Sequence, residues 1–134
     1  PPRSTLFPYT TLFRSRSRNL CLTRSTADLR ARIDARVEDM FASGLVEETK
    51  RLLAHGLAQN QNAMQALGYR QVVEHFRGER SLAETVELVK IKTRQFAKRQ
   101  MTWFRRQLPL EWIELKPDDT IAATVALVRA RAAD

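Results

Sequence analysis

Ser81-Leu82-Ala83-Glu84 opens a span that neither glycine nor proline interrupts before Pro109, and no other feature restricts the fold as strongly. A serine hydroxyl and a glutamate carboxylate three residues apart can satisfy each other's orphan amides at a helix start. From there Leu82, Val86, Val89, Thr93, Phe96 and Ala97 recur at helical spacing, which predicts a helix to about Gln107, stopped by Pro109. Between Lys90 and Arg106 the helix carries Lys90, Lys92, Arg94, Lys98, Arg99, Arg105 and Arg106, and no acid. At about 100° per residue, Lys92, Gln95, Arg99, Thr102 and Arg106 form one polar stripe, with Arg94, Lys98 and Arg105 beside it. Both flank an apolar seam, in which Phe96 and Trp103 are expected to hold the helix against a core. A polyanion is the natural partner for such a helix; the plainer alternative is a solvated cationic face against an acidic neighbour.

The other segments also read as helical. Ser25 or Thr26 can cap a helix with Leu29, Ile33, Val37, Met40 and Phe41 on its apolar face, ended by Gly44. A second helix is expected from Leu45 to His55, with Gly56 as its stop, followed by GLAQNQN as a loop. A third runs from Ala63 to Phe76, but Gly68 interrupts it and marks a break or a close approach. Beside it, Tyr69 and Arg70 offer a stacking ring and a phosphate fork, although a packing glycine and a core tyrosine are the plainer reading. Leu20 to Leu22 reads as a short buried strand and Trp112 to Leu115 as another. Asp118 or Asp119 can cap a last amphipathic helix carrying Ile121, Val125 and Val128. The fold class is mainly α with one or two short strands, in one small domain.

With 23 Lys and Arg against 15 Asp and Glu, the 134 residues carry a formal net charge of +8, which favours nucleic acid over membrane as the acidic partner. No apolar run approaches the roughly 20 residues needed to span a bilayer. Cys21 is the only cysteine, so no intrachain disulfide can form and a reducing, cytoplasmic compartment is expected; its thiol reads as buried and structural.

Pro1 to Ser15 follows no helix or strand period and holds three of the five prolines. Thr5 to Ser15, TLFPYTTLFRS, resembles the in-frame translation of a sequencing adapter. Residues 1–15 are therefore expected to be a non-native, disordered leader, with residues 16–134 the domain itself. Without Arg3 and Arg14 the chain stays basic.

No nucleophile spacing, metal cage or glycine-rich phosphate loop is present, and no catalytic residue or metal ligand can be assigned. His55 and His75 have no second ligand at a metal-binding spacing, so an exposed or capping role is expected for each.

Three runs in order carry a resemblance: RIDARVEDMFASGLVEE from Arg32 to Glu48, QALGYRQ from Gln65 to Gln71, and TRQFAKRQMTWFR from Thr93 to Arg105. Over roughly Leu20 to Val128 the chain resembles the C-terminal part of the bacterial tRNA dimethylallyltransferases, also called tRNA isopentenyltransferases. The resemblance implies the C-terminal helical part of an α/β P-loop NTPase-like fold. It also implies an enzyme that transfers a dimethylallyl group from dimethylallyl diphosphate, assisted by Mg²⁺, to N6 of the adenosine 3′-adjacent to the anticodon. The phosphate loop and the general-base aspartate would lie upstream, so the segment alone would be inactive, a cytoplasmic monomer that binds the anticodon stem-loop. By position, Arg36 matches an arginine that binds the diphosphate. Gln65, Ala66, Leu67, Gly68, Tyr69 and Arg70 match one tRNA-contacting segment. Lys98, Arg99, Gln100, Met101, Thr102, Trp103, Phe104 and Arg105 match another, although core packing remains the commoner role for a tryptophan such as Trp103. Thr26 departs from the pattern, which commonly has arginine there. A stand-alone helical RNA-binding module and an adenylate isopentenyltransferase are the alternative readings.

Overall fold

The computed structural model describes residues 19–107 and 109–133; the expected leader, Pro1 to Ser15, lies outside them. In chain order the elements are β1 (Leu20–Arg24), α1 (Thr26–Ala42), α2 (Leu45–Ala54), a 3-10 turn (Leu57–Gln59), α3 (Gln61–Met64), α4 (Tyr69–Phe76), α5 (Leu82–Gln107), β2 (Glu111–Leu115) and α6 (Ile121–Ala133). They divide into two compact units, one spanning Thr26–Trp103 and the other joining the described residues 19–25 to those from Phe104 onward. The mainly α reading with two short strands holds.

Local chemistry explains most boundaries of the helical unit. Helix α5 starts at the expected capping box: the Ser81 amide donates to Glu84 Oε2 at 2.8 Å and the Glu84 amide to Ser81 Oγ at 3.2 Å. Helices α1, α2 and α4 end within two residues of Gly44, Gly56 and Gly78. The stretch expected to be a plain loop holds the 3-10 turn and α3, because the Asn60 side chain accepts from the Ala63 amide at 3.0 Å and nucleates a single helical turn. The expected third helix is split accordingly. Its two parts meet at Gly68, at φ 112° and ψ −64°, a backbone conformation that breaks any helix.

The core of this unit is built from small β-branched residues. Val37, Val72, Val73 and Val89 are buried with Leu45 and Leu57, and two fully buried threonines join them. Thr49 donates its hydroxyl to the Leu45 carbonyl at 2.7 Å and Thr85 to the Ser81 carbonyl at 2.8 Å, so neither enters the core as an unsatisfied polar group. Helix α5 is buried at Thr85, Val89 and Lys90, whereas Phe96 and Trp103, about two and four turns beyond Val89 on the same face, are 45% and 54% exposed. The expectation that these two rings anchor the helix in a core is thus corrected. Periodicity identifies an apolar face, but burial requires an opposing surface.

The strand unit pairs β1 with β2 in parallel, Leu22 opposite Ile113, with the helical unit lying between them in the chain, as a parallel crossover requires. Ile113 and Leu115 are buried and Glu114 exposed, the alternation of a half-covered strand. β1 is not the buried strand expected: Leu22 is 46% exposed, and Cys21 is a free, only half-buried thiol. The Arg24 guanidinium donates to the Lys116 carbonyl at 3.0 Å, and Arg131 of α6 pairs with Glu111 at 2.9 Å. The cap of α6 is also corrected. Thr120 Oγ1 accepts from the Ala123 amide at 3.1 Å, while Asp119 accepts from the Lys116 amide at 2.7 Å and closes the preceding turn. Ile121, Val125 and Leu127 of α6 are exposed.

Candidate nucleic-acid interface

The cation run on α5 does not act as one charge. Lys90 is buried, with its ammonium donating to Glu38 Oε1 at 2.7 Å and to Glu87 Oε1 at 2.8 Å. Arg94 forks onto Asp34, Nε to Oδ1 at 2.7 Å and Nη2 to Oδ2, the bidentate geometry that makes arginine–carboxylate pairs strong. These two are neutralised within the helical unit, so the run of seven cations does not act as a single charge toward a polyanion. Lys92, Lys98 and Arg99 of this unit remain exposed, as do Arg105 and Arg106 at the start of the strand unit.

Aromatic rings accompany the exposed cations. The Arg99 guanidinium lies 5.9 Å from the Phe96 ring centre and that of Arg105 lies 5.8 Å from the Trp112 ring centre, cation–π contacts that hold a flexible side chain without consuming its charge. Gln100 and Trp103 are exposed, Met101 and Phe104 half-buried. Thr102 is exposed and turns its hydroxyl back to the Lys98 carbonyl at 3.0 Å.

In the segment from Gln65 to Arg70, Gln65 and Ala66 are exposed and Leu67 is half-buried. The Gly68 amide donates to Gln71 Oε1 at 2.9 Å. A β-carbon at Gly68 would lie 3.3 Å from Leu45 Cδ2 and 3.9 Å from Met40 Cε, so its close approach is to the protein's own side chains. The Tyr69 hydroxyl donates to Glu48; this hydrogen bond holds the phenol pKa above its usual value, keeping Tyr69 a fixed donor. Arg70 is exposed and pairs with Glu74, four residues on, at 2.8 Å. The Arg70 end of this pair is open to solvent, and Glu74 keeps a second partner in Arg80 at 2.5 Å, so Arg70 can exchange it for a phosphate.

Arg36 is exposed and, among the described residues, its guanidinium makes no hydrogen bond or ion pair to either of these segments or to any other residue. Arg32, one turn before it, pairs with Asp28 at 3.0 Å. His55 Nδ1 lies 2.8 Å from the Arg51 carbonyl and His75 Nδ1 lies 2.9 Å from the Arg80 carbonyl, local capping roles. Among the described residues, no group of three His, Cys, Asp or Glu side chains could hold a metal ion, and no helix is long and apolar enough to cross a membrane.

The distant acidic partners, Asp34, Glu38 and Glu48, escape a local reading of the sequence, unlike Glu74 and Glu87, which lie within four residues of Arg70 and Lys90, the cations they pair. Glu48 gives no sign of holding Tyr69. Asp34 and Glu38 do leave a trace, since their four-residue spacing repeats that of Lys90 and Arg94. The Arg94 hydrogen bond, more than the cations around it, holds the Asp34 carboxyl below its usual 3.8. A carboxylate with a lowered folded pKa adds stability above its unfolded value, lost as pH falls through the folded one. Urea midpoints measured from about pH 6 down to about pH 2 should therefore fall on the acid side for the native chain and fall less for Asp34→Asn. An unchanged acid limb in the variant would remove Asp34 from this role.

A sequence profile described as IPP transferase matches residues 4–107. Over 95 residues the chain is 44% identical to a tRNA dimethylallyltransferase of Pelotomaculum thermopropionicum, covering 71% of this chain and 30% of that protein. Over another 95 it is 47% identical to one of Geobacter metallireducens, covering 70% and 31%. The chain thus spans about a third of the length of the curated relatives it matches. Its fold matches the crystal structure of the full-length tRNA isopentenylpyrophosphate transferase from Bacillus halodurans with a TM-score of 0.78 at 30% identity, over 87% of this chain and 38% of that one.

Proposed function

Because the chain belongs to the IPP transferase family, we propose that it supplies the RNA-gripping helices and a diphosphate-binding arginine to a cytoplasmic tRNA dimethylallyltransferase. That enzyme would move a dimethylallyl group from its diphosphate to N6 of the adenosine 3′-adjacent to the anticodon. Arg36 would accept the donor's diphosphate on its rigid fork and stabilise the charge that develops as the diphosphate leaves. Lys98, Arg99 and Arg105 would contact tRNA phosphates, positioning the anticodon stem-loop without reading its sequence. Gln65, Gln100 and Thr102 add exposed polar groups, and Trp103, being exposed, is placed better for stacking on an unpaired base than for core packing. Mg²⁺ would neutralise diphosphate charge in the full-length enzyme. Among the described residues, no cluster of side chains fits a site for it, so no step here runs through the ion.

The observation that carries this reading is the division of the cation run: Lys98, Arg99 and Arg105 stay exposed while Lys90 and Arg94 are consumed inside the protein. Replacing all three exposed residues by alanine should reduce the salt slope of anticodon stem-loop binding by about 2, at roughly 0.7 per single-strand phosphate contact, and weaken binding at physiological salt on the order of 10²-fold. Fluorescence anisotropy across a salt titration measures both. Salt-independent binding by the unaltered chain would end the proposal.

A further inference from the structure

The two ion pairs that remove Lys90 and Arg94 from the cationic face have a geometry of their own. Asp34 of α1 pairs with Arg94 of α5, and Glu38, one turn later on α1, pairs with Lys90, one turn earlier on α5. Four residues forward on one helix correspond to four residues backward on the other, so the helices run antiparallel and are fastened at two points one turn apart. Arg36 stands midway between Asp34 and Glu38, two residues or about 200° from each around α1, so its side chain leaves the helix on the side away from α5. Val37, next to Arg36, is 2% exposed, so the face of α1 beside Arg36 is buried and helps to fix the same orientation. Turning α1 by one residue, about 100°, would break both pairs and swing Arg36 by the same angle.

We infer that the Asp34–Arg94 and Glu38–Lys90 pairs form a two-point clasp whose function is to position Arg36, and that Lys90 and Arg94 take no part in gripping RNA. The role given to Arg36 rests on the proposed function; the clasp itself does not. Lys90 suits a clasp because its side chain is 10% exposed and two carboxylates, Glu38 and Glu87, surround one ammonium, leaving no net positive charge to offer a phosphate. Arg94 suits it because both edges of the Asp34 carboxylate are engaged. Two charged pairs specify helix register where an apolar seam of valines and threonines would tolerate sliding.

Three readouts test this. In urea unfolding of the chain, Asp34→Ala and Arg94→Ala should each lower the midpoint, the double variant should lower it no further than the worse single one, and the charge-swapped pair Asp34→Arg with Arg94→Asp should recover most of the loss. In salt-titrated binding to an anticodon stem-loop, Arg94→Ala should leave the slope unchanged, whereas Lys98→Ala lowers it by about 0.7. In the full-length enzyme carrying this segment, Arg94→Ala should raise KM for dimethylallyl diphosphate on the order of 10-fold or more, because a displaced phosphate fork loses its geometry, with KM for tRNA unchanged and the swap restoring it. Additive losses in unfolding or an Arg94 slope change equal to that of Lys98 would overturn the clasp, and a donor KM that rises in Arg36→Ala but not in Arg94→Ala would overturn its positioning of Arg36. Absence of RNA binding or activity in the unaltered protein would instead strike the proposed function, and the unfolding cycle would still decide on the clasp. If Arg94→Ala does not fold, the swapped pair alone decides: failure to restore folding counts against the inference.

Discussion

Arg36→Ala in the full-length enzyme that carries this segment is expected to lower kcat/KM for dimethylallyl diphosphate by about 10²- to 10³-fold, the range seen when one donor to a developing charge is removed. Arg36 is exposed and, among the described residues, has no carboxylate to neutralise it, so its full charge and five donors are available to a diphosphate. Its removal breaks no hydrogen bond or ion pair among the described residues, and the unfolding midpoint should stay put. Arg36→Lys should recover only part of the rate, because an ammonium presents a point charge where the guanidinium presents a fork. Steady-state kinetics with the donor varied at saturating tRNA provide the check. A change of less than threefold in Arg36→Ala would show that this residue does not touch the diphosphate.

The second large effect is expected on stability. Gly68→Val should cost about 3 kcal/mol, combining backbone strain of roughly 1–3 kcal/mol with overpacking of similar size. The strain arises because φ is 112° and ψ −64°, a region that a β-branched residue essentially never adopts. The overpacking arises because the new β-carbon would lie 3.3 Å from Leu45 Cδ2, and Leu45 is itself buried. Thermal denaturation should show the loss as a fall of roughly 10 °C or more in Tm. Gly68→Ala should fall in the same direction by less. A Gly68→Val protein as stable as the native chain would mean that the segment re-forms without strain. Helix propensity alone ranks alanine above glycine here by about 1 kcal/mol, and the left-handed backbone reverses that ranking.

The boundaries of the long helix were legible in the sequence because they depend on neighbours. Ser81 and Glu84 satisfy each other across three residues, and Pro109 stops a helix whatever surrounds it. Gly68 was legible as a break for the same reason. The Asn60 cap was hidden inside a stretch that reads as loop, and the preference for Thr120 over Asp119 as a cap depended on the turn at Lys116 using the aspartate first. The parallel pairing of β1 with β2 was beyond local reading, since nothing near Leu20 indicates a partner beyond residue 110.

For the candidate site the division is similar. Arg36, Lys98, Arg99 and Arg105 were singled out by the resemblance of the ordered motifs, and the structure leaves each of them exposed. Phe96 and Trp103 were misread because apolar spacing describes one helix and says nothing of what opposes it. By itself the sequence determined that a long cationic helix exists, where it starts and stops, and that it carries more positive charge than the segment around it can cancel. Only the tertiary structure decided which of its cations are free: Glu87 reaches Lys90 within α5, but Glu38 and Asp34, which complete the neutralisation of Lys90 and take up Arg94, lie 52 and 60 residues away along the chain and reach them only once α1 and α5 have packed antiparallel.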